Sequence, residues 1–127
     1  MTLIEIRYPR TLGEELSRGI VIFVEDEETL RKLGETILSK MGFEVSAHGD
    51  AESALEAIQS NNAIVLLATD MSLPGMNGVN LAHKIRAMGI NAPILLMSGH
   101  DEEEINEAGG VPEPGLILQK PIGLAEL

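Results

Sequence analysis

The stretch IVIFVEDEETLRKLGETILSKMG (20–42) decides the fold. Its first five residues are continuously apolar, which is typical of a strand buried on both faces of a parallel sheet. Large apolar side chains then recur at helical spacing up to Gly42, a natural helix end. The stretch therefore predicts one strand followed directly by one amphipathic helix. The side chains that we expect this helix to turn inward are Leu30, Leu33, Ile37, Leu38 and Met41.

The same alternation continues along the chain. Further strands are predicted at 43–47, 63–68, 92–98 and 116–119. Helices are predicted from Ala51 to about Ser60, with Asp50 as the cap, over 79–89, and over a short acidic segment at 101–110. Their expected inward side chains are Ala54, Leu55, Ile58, Leu81, Ala82, Ile85 and Met88. Alternating strands and helices with short connections predict a doubly wound, five-stranded parallel sheet.

Composition narrows the classes of function. The 127 residues are 44% hydrophobic, which is enough for one domain with a real core. A net charge of −11 and only three aromatic residues make direct binding of nucleic acid an unfavourable interpretation. The absence of cysteine excludes disulfides and thiol catalysis. No apolar stretch is long enough to predict a membrane span or membrane contact, and a cytoplasmic domain is the default expectation.

Four acids, residues 25–28, follow the first strand directly. One interpretation is a solvated helix start, because acids favour the first turn of a helix. The other is a site whose negative charge holds a cation. The other strand ends favour the second, since they carry Asp70, Ser98 and Lys120. Function in such sheets lies at the carboxyl ends of the strands, so these groups are expected to converge with Glu25 and Asp26.

Phosphoryl transfer to a carboxylate fits this group of residues. An aspartate can form an acyl phosphate, and catalysis then consists mostly of positioning and charge neutralisation. Clustered carboxylates suit a hard divalent cation, Mg²⁺ or Mn²⁺. Lys120 would supply a second positive charge, and Ser98 a hydrogen bond to a phosphoryl oxygen.

The motifs VEDEE, TDMSLPGMNG, PILLMSG and LQKP resemble, in this order, those of the receiver domain of two-component response regulators. The separations agree as well: 44 residues from Asp26 to Asp70, 28 to Ser98 and 22 to Lys120. The resemblance covers residues 20–127 and implies a flavodoxin-like receiver fold.

The resemblance also implies a role for each matching residue. Asp70 would be the phosphoacceptor. Asp26, Asp70 and the backbone carbonyl of Ser72 would bind the metal directly, and Glu25 would act through a metal-bound water. Ser98 would move toward the phosphoryl group and Lys120 would pair with it, with a bond to the following proline that is often cis in this family.

The implied partners are a histidine kinase or phosphotransfer domain as phosphodonor and a downstream protein that reads the face of the fourth helix and fifth strand. The domain would catalyse only its own phosphorylation and hydrolysis. Two alternatives stay open. One is a receiver-like interaction module that is not phosphorylated. The other is an aspartyl-phosphate phosphohydrolase, which usually has an acid two residues after the nucleophile, where this chain has Ser72.

The sequence departs from the receiver pattern in two places. Ile117 stands where an aromatic residue often switches position, and the last helix is expected to be truncated at Leu127. Two domains are predicted: an N-terminal strand and linker over 1–18, and the receiver over 19–127. The segment LIEIRYPR (3–10) resembles the closing strand of a kinase ATP-binding domain. A receiver that follows such a domain is the layout of a hybrid sensor histidine kinase.

Overall fold

The computed structural model describes residues 19–60 and 63–119, in which strands and helices alternate. The strands are β1 (Ile20–Val24), β2 (Glu44–His48), β3 (Ile64–Asp70), β4 (Ile94–Ser98) and β5 (Gly115–Gln119). The helices are α1 (Glu28–Lys40), α2 (Ala51–Gln59), α3 (Gly78–Ala87) and α4 (Glu102–Glu107). Within this part of the chain, no helix combines the length and apolar content needed to cross a bilayer.

The strands form one parallel sheet in the order β2-β1-β3-β4-β5. The predicted doubly wound, receiver-like fold is confirmed. The apolar runs behave as expected for a sheet covered on both faces: Val21, Ile22 and Val24 of β1 have no exposed surface. The strand order places β1, β3 and β4 side by side, so the residues that follow them share one edge of the sheet.

Helices α2 and α3 pack on one face of the sheet. Their side chains meet alternate strand residues such as Ile22, Leu67 and Ile94 in the largest apolar cluster. The predicted cap of α2 is confirmed, because the Asp50 side chain accepts a hydrogen bond from the Ser53 amide at 2.7 Å. The inward residues predicted for these helices are buried or packed against this cluster, with one exception: Ala54, Leu55, Ile58, Leu81, Ala82 and Ile85.

The exception is Met88, which was expected to face inward and is 42% exposed. This prediction is wrong because α3 ends one residue earlier, at Ala87, and Met88 is its C-terminal cap. The chain turns there at Gly89, which has a φ of 84°. Helical spacing therefore no longer sets the direction of the Met88 side chain.

Helix α1 packs on the opposite face, and its predicted apolar face is partly wrong. Leu38 packs beside Phe23, but Leu30, Leu33 and Met41 are 41–45% exposed. The helix meets the sheet at Gly34, where an added Cβ would lie 2.5 Å from the ring of Phe23. Leu33 lies one residue, or about 100°, around the helix from this contact, so it points along the sheet instead of into it.

Two side chains of α3 fasten the connection between α4 and β5. Arg86 donates to four backbone carbonyls at 2.7–2.9 Å. Its acceptors are the carbonyl oxygens of Ile90, Ala92, Glu113 and Pro114. His83 Nε2 lies 2.9 Å from the Gly110 oxygen, so this ring nitrogen must carry the hydrogen. The α4–β5 connection is thus held by side chains from 27 or 28 residues earlier in the chain.

Candidate functional site

Asp70 is the last residue of β3, where the strand has passed through the core and meets solvent. It is only 4% exposed. Its Oδ1 atom accepts a hydrogen bond from the Ser72 amide at 3.2 Å, and the Thr69 hydroxyl donates to its backbone carbonyl at 3.0 Å. These contacts fix both the backbone and the carboxylate of Asp70 at the edge of the sheet.

The start of α3 lies directly against Asp70. The Gly78 amide donates to the Met71 carbonyl at 2.9 Å. A Cβ at position 78 would collide with the Asp70 carbonyl oxygen and would lie 2.9 Å from a methyl group of Leu96. Glycine at this position therefore allows the helix to approach the end of β3.

Glu25 and Asp26 form the turn between β1 and α1. The Glu25 amide donates to the His48 carbonyl at 2.9 Å, which continues the β1–β2 ladder past the end of the strand. Glu25 is 4% exposed, and its carboxylate accepts a hydrogen bond from the Glu27 amide at 3.2 Å. Asp26 is exposed. One acid of the pair is therefore buried against the sheet and the other faces solvent.

The three acids predicted to converge do so: one carboxylate oxygen from each of Glu25, Asp26 and Asp70 lies within 4.8 Å of the others. Oxygens bound to one Mg²⁺ at about 2.1 Å are at most about 4.2 Å apart. A shift of roughly half an ångström, or one bridging water, therefore brings this group to the geometry of a magnesium site. The all-oxygen donor set is also the one that Mg²⁺ and Mn²⁺ prefer.

Ser98 ends β4, beside the end of β3. Asp70 pairs with Met97, so Ser98 lies one residue beyond the position opposite Asp70. Its side chain is fully buried, and its Oγ accepts a hydrogen bond from the His100 amide at 2.9 Å. The hydroxyl hydrogen of Ser98 is not used in that contact and is available for another acceptor.

Comparison with known proteins adds an independent result. A family model described as the response regulator receiver domain matches residues 21–127. The chain belongs to this family. It is 30% identical over 115 residues to the alkaline phosphatase synthesis transcriptional regulatory protein SphR of Synechococcus elongatus; the match covers 84% of this chain and 45% of SphR. The chain spans less than half the length of the first curated relatives it matches.

Solved receiver structures agree in fold and in sequence. A response regulator receiver protein from Sinorhizobium medicae superimposes with a TM-score of 0.74 at 30% identity, covering 84% of this chain and 86% of that one. The receiver domain from the hybrid histidine kinase CckA gives a TM-score of 0.68 at 30% identity, covering 84% and 90%.

Two positions of the receiver pattern need separate mention. Lys120 lies outside the described residues, but Gln119, which precedes it, pairs with Ser98 at the end of β5. Ile117, in place of the aromatic residue, is half-buried and packs against the small cluster of Met71, Val79, Leu96 and Ile105. An aliphatic side chain here fills the space beneath α4.

Three features of the receiver site were not predicted from the sequence. Arg31 donates to the carbonyls of the acid turn, which no local pattern indicates. His100 Nδ1 lies 2.8 Å from a carboxylate oxygen of Glu104, joining the turn after Ser98 to α4. His48 contacts two serine hydroxyls at 2.7 Å beside the site, and burial holds the pKa of its ring below the usual range although nearby Asp50 acts in the other direction.

Proposed function

We propose that this receiver accepts a phosphoryl group from phosphohistidine onto Asp70 in a reaction that requires a divalent cation. One observation carries the proposal: the buried carboxylate of Asp70 lies within 4.8 Å of those of Glu25 and Asp26. Like charges this close repel one another, and a bound cation removes the cost. Membership of the receiver family supports the same assignment.

The reaction needs one nucleophile and a means of neutralising charge. A carboxylate oxygen of Asp70 attacks phosphorus, the phosphorus–nitrogen bond to the donor imidazole breaks, and the imidazole nitrogen takes up a proton. Glu25, Asp26, Asp70 and the Ser72 carbonyl would hold Mg²⁺ or Mn²⁺, which would neutralise charge on the phosphoryl oxygens. The hydrogen bond from the Ser72 amide holds the Asp70 carboxylate in position for attack.

Ser98 and Lys120 are proposed to bind the phosphoryl group once it is attached. The Ser98 hydroxyl has a hydrogen to donate, and Lys120 would supply a positive charge. Because the His100 amide bonds to Ser98 Oγ, a movement of Ser98 would be transmitted to the start of α4. The face of α4 and β5 is therefore the surface that we propose a downstream protein reads.

The parent protein is proposed to be a hybrid sensor histidine kinase. The similarity to the CckA receiver supports this. The expected kinase-derived segment over 1–18 and the truncated last helix lie outside the described residues. In this proposal the phosphodonor is a histidine kinase or phosphotransfer domain in the cytoplasm, and the receiver turns over no separate substrate.

The test is an intact-mass measurement after incubation with acetyl phosphate and Mg²⁺. We expect a gain of about 80 Da, one phosphoryl group. The gain should disappear in Asp70→Asn and when EDTA replaces Mg²⁺. The matched control is Asp50→Asn, which removes another carboxylate but keeps a helix cap, since asparagine caps as well as aspartate.

The alternatives give different results. Phosphorylation that persists in Asp70→Asn would place the phosphoacceptor elsewhere. Steady release of phosphate from a small ester at many turnovers per protein would identify a phosphohydrolase. If no mass is gained from acetyl phosphate or from a phosphorylated histidine phosphotransfer domain, the chain is an interaction module and the proposal is wrong.

A further inference from the structure

Arg31, in the first turns of α1, reaches back to the acid turn. Its Nη1 atom donates to the Glu25 carbonyl at 2.9 Å and to the Asp26 carbonyl at 3.3 Å. One end of a single guanidinium thus contacts the backbone of two successive residues whose carboxylates belong to the acidic cluster. These contacts act on the main chain of the acids and leave their carboxylates to other partners.

The same guanidinium also lies against the turn between β2 and α2. A Cβ added at Gly49 would be 2.9 Å from Arg31 Nη1. The φ of Gly49 is not in the left-handed region, so the backbone conformation does not demand glycine there. Space does, because the guanidinium occupies the volume that a side chain would need. Arg31 therefore joins the connections that follow two adjacent strands.

The acid turn needs such support. It contains only three residues between β1 and α1, and two of them carry carboxylates that approach a third on β3. Repulsion among these charges favours conformations in which the turn moves away from Asp70. Arg31 opposes that movement, since it fixes the Glu25 and Asp26 carbonyls against α1 and the Gly49 turn.

We propose that Arg31 is a positioning residue that holds Glu25 and Asp26 in the geometry that binds the cation. This inference rests on the proposed function, because it concerns the same metal site. Groups that orient metal ligands from outside the coordination shell typically change metal affinity about 10–100-fold when they are removed. The acid turn without Arg31 should therefore bind Mg²⁺ roughly tenfold more weakly.

The test is an NMR titration of the full chain with Mg²⁺, following the amides of Glu27 and Ser72. Arg31→Met keeps most of the aliphatic stem and removes the guanidinium. The matched control is Lys32→Met, which removes one positive charge from the neighbouring position, where the lysine pairs only with Glu28. We expect a roughly tenfold weaker dissociation constant for Arg31→Met. Lys32→Met should stay within about twofold, because an exposed charge is screened by salt.

A second variant tests the geometry independently. Gly49→Ala should displace the guanidinium and weaken Mg²⁺ binding in the wild-type background. In the Arg31→Met background the same substitution should cause no further loss, because the atom it would displace is gone. The free energy of unfolding of each variant, measured by urea titration, separates loss of metal affinity from loss of fold.

Each outcome decides between explanations. Tighter Mg²⁺ binding in Arg31→Met would show that the guanidinium acts only by electrostatic repulsion of the cation, and would overturn the positioning role. An unchanged dissociation constant with lower stability would make Arg31 purely structural. If the wild-type chain binds no Mg²⁺ at all, the proposed function itself fails, and the inference fails with it.

Discussion

The contact between Gly78 and Asp70 predicts a large effect from one added methyl group. In Gly78→Ala the new Cβ would meet the Asp70 carbonyl oxygen and, at 2.9 Å, a methyl group of Leu96. The Leu96 methyl can rotate aside, but the Asp70 carbonyl belongs to the backbone at the end of β3. Relief therefore requires α3 to move away from the strand, which also lengthens the hydrogen bond from the Gly78 amide to the Met71 carbonyl.

Two terms set the size of the effect. Overpacking of this kind costs about 1–3 kcal/mol. The lower conformational entropy of alanine in the unfolded chain returns about 0.4–1 kcal/mol, because Gly78 has an ordinary φ. The expected net loss is about 1–2 kcal/mol, or roughly 4–16 °C in the unfolding midpoint of a domain of this size.

The assay is urea unfolding followed by far-ultraviolet circular dichroism. The matched control is Gly99→Ala, where no atom lies within 4 Å of the new Cβ and φ is likewise ordinary. We expect the control to be unchanged or slightly more stable. The steric argument would be refuted if Gly78→Ala unfolded at the same urea concentration as Gly99→Ala, with the same slope.

Three further predictions follow from contacts elsewhere in the fold. Arg86→Met removes donors from four backbone carbonyls and should lower the free energy of unfolding by about 2–3 kcal/mol in urea titration; a loss below about 0.5 kcal/mol would mean that water replaces the guanidinium. Asp50→Ala removes the α2 cap and should cost about 1 kcal/mol in the same assay, whereas Asp50→Asn should cost almost nothing. Burial lowers the pKa of His48 in the folded state, so the unfolded chain takes up its proton first as pH falls below about 6.5. The wild-type free energy of unfolding should therefore fall relative to that of His48→Gln through this range, and a constant difference between pH 7 and pH 5 would contradict the reasoning.

Local patterns in the sequence predict the sheet and the convergence of the acids. Continuous apolar runs mark the buried strands, and parallel topology brings their carboxyl ends to one edge, so Asp26 and Asp70 meet although 44 residues separate them. The cap at Asp50 is equally local, because donor and acceptor lie three residues apart. The assigned roles of Asp70, Ser98, Ser72 and Lys120 stay predictions.

The errors arise where packing depends on something other than spacing. Leu33 has the spacing of a core residue, yet the contact of α1 with the sheet is set by Gly34 against the ring of Phe23. The Arg31 and Arg86 contacts have no signature in the sequence, since their acceptors are backbone carbonyls, which every residue possesses. Such contacts become visible only when the turns are placed in three dimensions.

The strand order has a consequence for how the domain opens. In the described sheet β1 and β3 are paired on both sides, whereas β2 and β5 are paired on one side only. Amides of doubly paired strands should exchange with solvent deuterium most slowly, and those of the edge strands much sooner. Asp26 and Asp70 extend from the slow strands, while Ser98 ends β4, whose outer neighbour is the edge strand β5. Partial opening at the β5 edge would thus loosen the face beside α4 while the paired strands that carry the carboxylates remain closed.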